Sequence, residues 1–365
     1  MNPFNPAFGR KPEHFVGRDH VISEFSAALE DPNSPWRTTI LIGIRGSGKT
    51  AILSDIQKFD NQKKKITVNV TATDDMLNNI LSEIYRKMPK SIKKSLPSIS
   101  DISAFGIGVK FIESKDVPNF TNSFRFQLTK MLDFLKQQKI QIIFLIDEVQ
   151  KHSEDMRNFV TTYQHIVREN YDVVLLMAGL PEAISSVLRD RVLTFLRRAN
   201  RVTLENVSVK LVQLEYFESF NTANKKLSLK LSQDAAQATF GYPYLIQLLG
   251  YYLWQISGSR VTPKNFKEAV VRSKVELFRN VHELILDSLS PKDRDFIFAM
   301  SHDDVESNFS DIVERMGKKK NYISNYRKRC LEAGVIKATG YGKISYTLPY
   351  MKEFLEENCN PNQLR

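Results

Sequence analysis

Over the first two hundred residues, short continuous apolar runs alternate with stretches in which apolar residues recur every three or four positions. The runs TTILIGI (38–44), KITVNVTA (65–72), IQIIFLID (140–147), YDVVLLMAG (171–179) and NRVTL (200–204) are rich in β-branched residues and read as strands. Helices are expected between them, beginning near Gly48, Asp74, Thr121, Glu154 and Pro181. In the helix through residues 120–138, Phe124, Leu128, Met131, Leu132 and Leu135 share one face. Strands and helices that alternate in this way fold as an α/β domain around a parallel sheet. SAFGIGVKF interrupts the alternation: Phe105, Ile107, Val109 and Phe111 are spaced as in an extra strand or hairpin, with Gly106 and Gly108 marking a bulge or a close backbone approach.

From about Ser208 the strand signal disappears. PYLIQLLGYYLWQI follows a GYP turn and sets Leu245, Leu248, Leu249, Tyr252, Leu253 and Ile256 along one stripe, the core of a helical domain. Near Val281 the rhythm changes to three helical stretches followed by a glycine-punctuated hairpin, KATGYGKISYTL. Three domains are expected: 1–207, α/β; 208–280, helical; 281–365, a small α+β tail. Residues 310–346 read as a helix-turn-helix with a wing. Ser310 is expected to cap a helix ending at Gly317, and Asn321 a second helix ending at Gly334. Along the second, Ile323, Tyr326, Cys330 and Leu331 would face the core and Ser324, Asn325 and Lys328 the outside, with Arg327 and Arg329 at the flanks.

Composition narrows the class. The 365 residues are 42% hydrophobic and 25% charged, as in ordinary globular domains. No run approaches the ~20 apolar residues of a membrane span, and the N-terminus lacks the order of a secretory signal, so a cytoplasmic chain without membrane partners is expected. Cys330 and Cys359 stand alone, indicating neither a disulfide framework nor a zinc site. The net charge of +11 is uneven: residues 1–280 hold 39 Lys/Arg against 28 Asp/Glu, and residues 281–365 hold 13 of each. Within the neutral tail, however, Arg315, Lys318, Lys319, Lys320, Arg327, Lys328 and Arg329 form a run without an acidic residue. That asymmetry suits phosphate binding.

The chemistry begins at GIRGSGKT. Gly43, Gly48, Lys49 and Thr50 fill every fixed position of G-x-x-x-x-G-K-[ST], after a strand and before a helix, with Arg45, Gly46 and Ser47 in the loop between. Glycines let backbone N–H groups turn around phosphate at a helix N-terminus that already favours anions. Lys49 would reach the β- and γ-phosphates of ATP, Thr50 would ligate Mg²⁺, and Asp147, ending the strand IIFLID, is the Mg²⁺-side carboxylate. Glu148 is either the carboxylate that polarises a water for attack or an acidic helix cap; beside the upstream loop, the catalytic role is favoured.

With these motifs the chain resembles the AAA+ ATPases, in the branch related to origin-recognition initiators and STAND signalling ATPases. The markers span nearly the whole sequence: FVGRD (15–19), GIRGSGKT, LIDE, AGLPE, FLRRANRVTL (195–204) and GYPYLIQLLGYYLW. The resemblance implies a P-loop NTPase sheet of AAA+ type, a helical lid and a winged helix, with Val16, Gly17 and Arg18 beside the adenine. It also implies that Arg197 or Arg198 acts as an arginine finger in trans within an ATP-dependent homo-oligomer; the alternative for that pair is a solvated basic helix end. Two departures point to slow hydrolysis of ATP to ADP and phosphate. The fourth strand ends in Met177, Ala178 and Gly179, where many relatives have a polar residue, and Tyr244 stands where many have a lid arginine.

The function expected is a switch in which nucleotide binds between the α/β and helical domains and the tail meets double-stranded DNA. Lys318, Lys319, Lys320, Ser324, Asn325, Arg327, Lys328 and Arg329, with Lys343 on the wing, would touch the duplex. The alternatives are a STAND-like signalling ATPase whose tail contacts protein, and an oligomeric target selector of a mobile element.

Overall fold

The computed structural model describes residues 2–7, 15–61, 64–95, 123–150 and 153–358. The strand expected in Phe105–Phe111, and Cys359, lie outside them. The chain divides into two compact units, one of His20–Gly43 and Lys49–Thr203, the other of Met1–Asp19, Ile44–Gly48 and Leu204–Arg365.

The first unit is built on strands β1 (Thr38–Ile42), β2 (Lys65–Thr71), β3 (Gln141–Val149), β4 (Val173–Gly179) and β5 (Asn200–Thr203). All five expected strands form. They hydrogen-bond in the order β2-β3-β4-β1-β5, every pair parallel. The central strand β4 is buried at every position and its neighbour β3 throughout Gln141–Ile146, as strands covered on both faces must be. Helices Met76–Lys87, Phe124–Gln137 and Glu154–Arg168 supply the apolar cover. Ser123 and Ser153 cap the latter two, accepting from the N–H groups of Phe126 at 3.3 Å and Met156 at 3.2 Å. On Phe124–Gln137 the expected stripe is the buried one. Helix Lys49–Ile56 starts directly after the glycine-rich loop.

The second unit is mostly helical. Helices Val209–Thr222, Leu229–Ala238, Pro243–Ile256 and Pro263–Leu277 lead through a short π-helical stretch, Phe278–Glu283, into the tail. Helix Pro243–Ile256 serves two cores: Ile246, Leu249 and Leu253 pack with Val212, Tyr216 and Phe220, whereas Leu245 and Leu248 pack with tail residues including Phe296, Ile323 and Ile344. At the π-helical joint His282 is fully buried, its Nδ1 and Nε2 at 3.1 and 3.0 Å from the carbonyl oxygens of Leu277 and Pro349.

The tail runs helix Pro291–Met300, β6 (Ser307–Asn308), helix Phe309–Met316, helix Lys320–Glu332, β7 (Ile336–Gly340) and β8 (Lys343–Tyr346). β8 pairs antiparallel with both β6 and β7. Two expected caps are corrected. Ser310 lies inside its helix and bonds Asp311, because β6 delivers the chain straight into the helix and leaves Asn308 at the cap position. Asn321 also lies inside: Gly317, at φ 59°, turns the chain so tightly that Lys319 is the last extended residue. Ile323 and Cys330 are fully buried, as their spacing requires. No helix among the described residues is long and apolar enough to cross a membrane.

Candidate nucleotide site and basic tail

Within the sheet unit the chemistry gathers at the C-terminal ends of β1 and β3. β1 ends at Ile42, and the N–H of Gly43 donates to Gly179 at the end of β4 at 3.3 Å. Lys49 and Thr50 open the following helix, whose N-terminal end favours an anion. Lys49 Nζ donates to the Gly43 carbonyl at 2.7 Å, and Thr50 Oγ1 donates to Asp147 Oδ2 at 2.7 Å. The expected Mg²⁺ pair, Thr50 and Asp147, is thus in direct hydrogen-bond contact. Asp147 Oδ1 accepts from the N–H of Glu148 at 2.8 Å. Glu148 is exposed, at a β-bulge between Ile146 and Val149, with φ 53°. A side chain held in the left-handed region costs energy that functional sites often retain.

Arg197 and Arg198 close a short 3-10 turn just ahead of β5, where the resemblance puts them. Both are exposed. Arg197 Nε donates to the Leu188 carbonyl at 3.0 Å, and Arg197, Arg189 and Arg201 line a cavity of about 370 Å³ with Ile42, Pro181 and Ile184.

The middle of the phosphate loop, Ile44–Gly48, belongs to the second unit. Gly46 and Gly48 have φ of 71° and 95°, which only glycine adopts without strain. Tyr242 Oη donates to the Arg45 carbonyl at 2.7 Å, the N–H of Tyr244 donates to the Gly46 carbonyl at 3.2 Å, and Arg18 Nη2 donates to the Ser47 carbonyl at 3.3 Å. Ile44 packs on the tail core. Ser47 is 1% exposed, and among the described residues its hydroxyl has no hydrogen-bond partner. A glycine-rich turn with an unpartnered buried hydroxyl fits a phosphate-bearing ligand.

Arg18 itself is buried, which lowers its pKa, and it also donates to the Glu205 carbonyl at 2.6 Å. Its guanidinium therefore braces backbone. Val16 is half-buried in the helical core, and Gly17 lies near Val207 and Leu211. Tyr244 lies against the tail core, and its hydroxyl accepts from Asn280 at 3.1 Å. Sequence reasoning missed Tyr242 as a loop contact. The GYP turn was visible, but nothing in it indicates a partner 197 residues upstream.

In the tail, Lys318, Lys319, Lys320, Ser324, Asn325, Lys328 and Lys343 are exposed. Lys328 lies 3.8 Å from Glu332, and Lys343 lies 3.4 Å from Glu306. Arg327 is half-buried with its guanidinium 5.5 Å from the Phe309 ring centre. Two members of the basic run are committed internally. Arg329 forks onto the buried Asp293 at 2.6–3.0 Å, and Arg315 grips Asp303 at 2.5 and 2.6 Å.

A parallel sheet in this order, with a phosphate loop after β1 and an acid at the end of β3, defines a P-loop ATPase fold of AAA+ type. Residues 14–176 match the AAA ATPase domain family, and residues 279–355 match a domain of unknown function. No curated protein matches the sequence. Among solved structures, the chain is similar to a Walker-type ATPase of Pyrococcus abyssi, at 14% identity and a TM-score of 0.65, covering 95% of this chain and 97% of that one. It is also similar to the ORC2 protein of Aeropyrum pernix, solved as ADPNP–ADP complexes. That match has 12% identity and a TM-score of 0.63, and covers 96% of each chain.

Proposed function

We propose that this chain binds ATP, hydrolyses it slowly and couples nucleotide state to duplex DNA binding through its tail, which we read as a winged helix. The 2.7 Å hydrogen bond between Thr50 and Asp147 carries the nucleotide half of this reading. It joins a hydroxyl and a carboxylate that the sequence motifs nominate separately for Mg²⁺. When bound, ATP with Mg²⁺ supplies the phosphoanhydride and the charge that offsets its oxygens. Backbone N–H groups of the loop bind phosphate, Lys49 exchanges the Gly43 carbonyl for a phosphate oxygen, and Thr50 and Asp147 hold the metal. Glu148, exposed beside them, accepts a proton from water. The apolar end of β4, Met177–Gly179, offers no side chain to orient that water, which is why hydrolysis is slow. Arg197 or Arg198 completes the set from a neighbouring copy. Comparing phosphate release by the parent and a Glu148→Gln variant tests this half: equal rates remove Glu148 from its role.

The DNA half rests on the exposed lysines at the start of helix Lys320–Glu332. With Arg315 and Arg329 paired internally, phosphate binding falls to Lys318, Lys319 and Lys320, with Ser324, Asn325 and Lys328 on the next turns and Lys343 on the wing. Every phosphate that a lysine neutralises adds about 0.9 to the salt slope of binding. Duplex binding is therefore measured across a salt series, with and without ATP. No binding, or a slope unchanged when the three lysines become alanine, sinks the DNA reading. The internal pairing of Arg315 and Arg329 favours one second reading, a signalling switch whose tail contacts protein. ATP-dependent capture of a protein partner free of nucleic acid supports it.

A further inference from the structure

We propose that Tyr242 and Arg18 are positioning residues of the phosphate loop, each orienting one backbone N–H toward phosphate by holding the carbonyl of the same peptide. This inference rests on the reading of GIRGSGKT as a nucleotide site. In a planar trans peptide the C=O of one residue and the N–H of the next point in opposite directions. Tyr242 Oη holds the Arg45 carbonyl at 2.7 Å and so turns the Gly46 N–H away from itself. Arg18 Nη2 holds the Ser47 carbonyl at 3.3 Å and does the same for the Gly48 N–H. The peptide between them is fixed from both ends: the Gly46 carbonyl accepts from the N–H of Tyr244 at 3.2 Å, and the Ser47 N–H closes a turn on Ile44 at 3.3 Å. Three successive carbonyls are thus held by donors within the unit that contains the loop's middle.

The two side chains are placed firmly enough for this work. Tyr242 is fully buried, and its ring belongs to the tail core together with Leu245, Leu248 and Ile297. Arg18 is 7% exposed and is steadied by the Glu205 carbonyl at 2.6 Å. The fit extends to Gly46, where an added Cβ would overlap the Tyr242 hydroxyl. Position 46 is free in the general loop pattern; here the Tyr242 hydroxyl and a φ of 71° both call for glycine. An N–H group already aimed costs no reordering when phosphate arrives, and affinity rises by what is saved.

The test uses the full chain and isothermal titration with ADP. Tyr242→Phe removes only a hydroxyl, and Arg18→Gln removes the fork while keeping a polar side chain. Each should weaken ADP binding by about fivefold, the size of one backbone hydrogen bond. Tyr216→Phe is the control: its hydroxyl is equally buried and donates to the Ile246 carbonyl at 2.7 Å, remote in sequence from the loop. It should lower the melting temperature as Tyr242→Phe does and leave ADP affinity unchanged. Parent-like affinity in both Tyr242→Phe and Arg18→Gln overturns the proposal alone. An affinity loss in Tyr216→Phe equal to that in Tyr242→Phe also overturns it, because general loosening then explains both. A parent chain that binds no ADP overturns the nucleotide reading and this proposal together.

Discussion

Replacing Arg329 by alanine takes away the partner of a carboxylate that is 2% exposed. The Ser290 hydroxyl, at 2.6 Å, still donates to Asp293, but it carries no charge to offset the carboxylate. Removing one member of a fully buried ion pair costs about 3–5 kcal/mol. The Arg329 side chain is 46% exposed, so water reaches that end of the pair, and the expected cost drops to about 2 kcal/mol. Lys319→Ala and Lys320→Ala touch exposed side chains at the start of the same helix and should stay within about 0.5 kcal/mol of the parent. Urea denaturation followed by circular dichroism measures each variant. A double-mutant cycle with Asp293→Asn isolates the pair, with a coupling of about 1–2 kcal/mol expected. A coupling near zero, or equal losses in Arg329→Ala and Lys320→Ala, refutes the assignment of Arg329 to the fold and returns it to the proposed DNA-contacting set. If the assignment holds, Arg329→Ala at a temperature where the tail is folded leaves the salt slope of DNA binding intact.

Burial holds the pKa of His282 below its usual 6.5, so below that pH the unfolded chain takes up a proton that the folded chain refuses. Stability should fall as pH drops from 6.5 toward the folded pKa, by at most about 1.4 kcal/mol per unit, and His282→Gln should flatten that slope in melting curves taken from pH 7.5 to 5. Gly46→Ala meets both a φ of 71° and the Tyr242 hydroxyl, and should weaken ADP binding at least tenfold in titration; an unaffected affinity would mean the loop adopts another path. Burial raises the Cys330 thiol well above its ordinary range, so in a Cys359→Ser background iodoacetamide should label the native chain only as fast as it unfolds.

The sheet was legible because its signals are local. Each strand is a continuous apolar run, and each helix of the cover turns an apolar stripe toward it. The same local logic nominated Lys49, Thr50 and Asp147, since a strand end fixes where its last side chain can act. It failed where long-range pairing decides the outcome. β6 is two residues long, too short to carry a periodicity, yet its pairing with β8 shifts the following helix and displaces Ser310 from the cap. The seven basic residues between Arg315 and Arg329 looked equivalent, but Asp293 and Asp303, on and after the preceding helix Pro291–Met300, select two of them. The donors that hold the phosphate loop are likewise supplied by segments that sequence spacing does not connect.

The distance from Arg45 to Tyr242 has a consequence for how the protein is made. Synthesis at about 5–20 residues per second separates the two by on the order of 10–40 s, during which the emerging chain carries the motif without its Tyr242 brace. A nascent or prematurely terminated chain should therefore display GIRGSGKT and still hold nucleotide poorly. The loop leaves the ribosome 197 residues ahead of the side chain that braces it, and the motif is in place long before its brace.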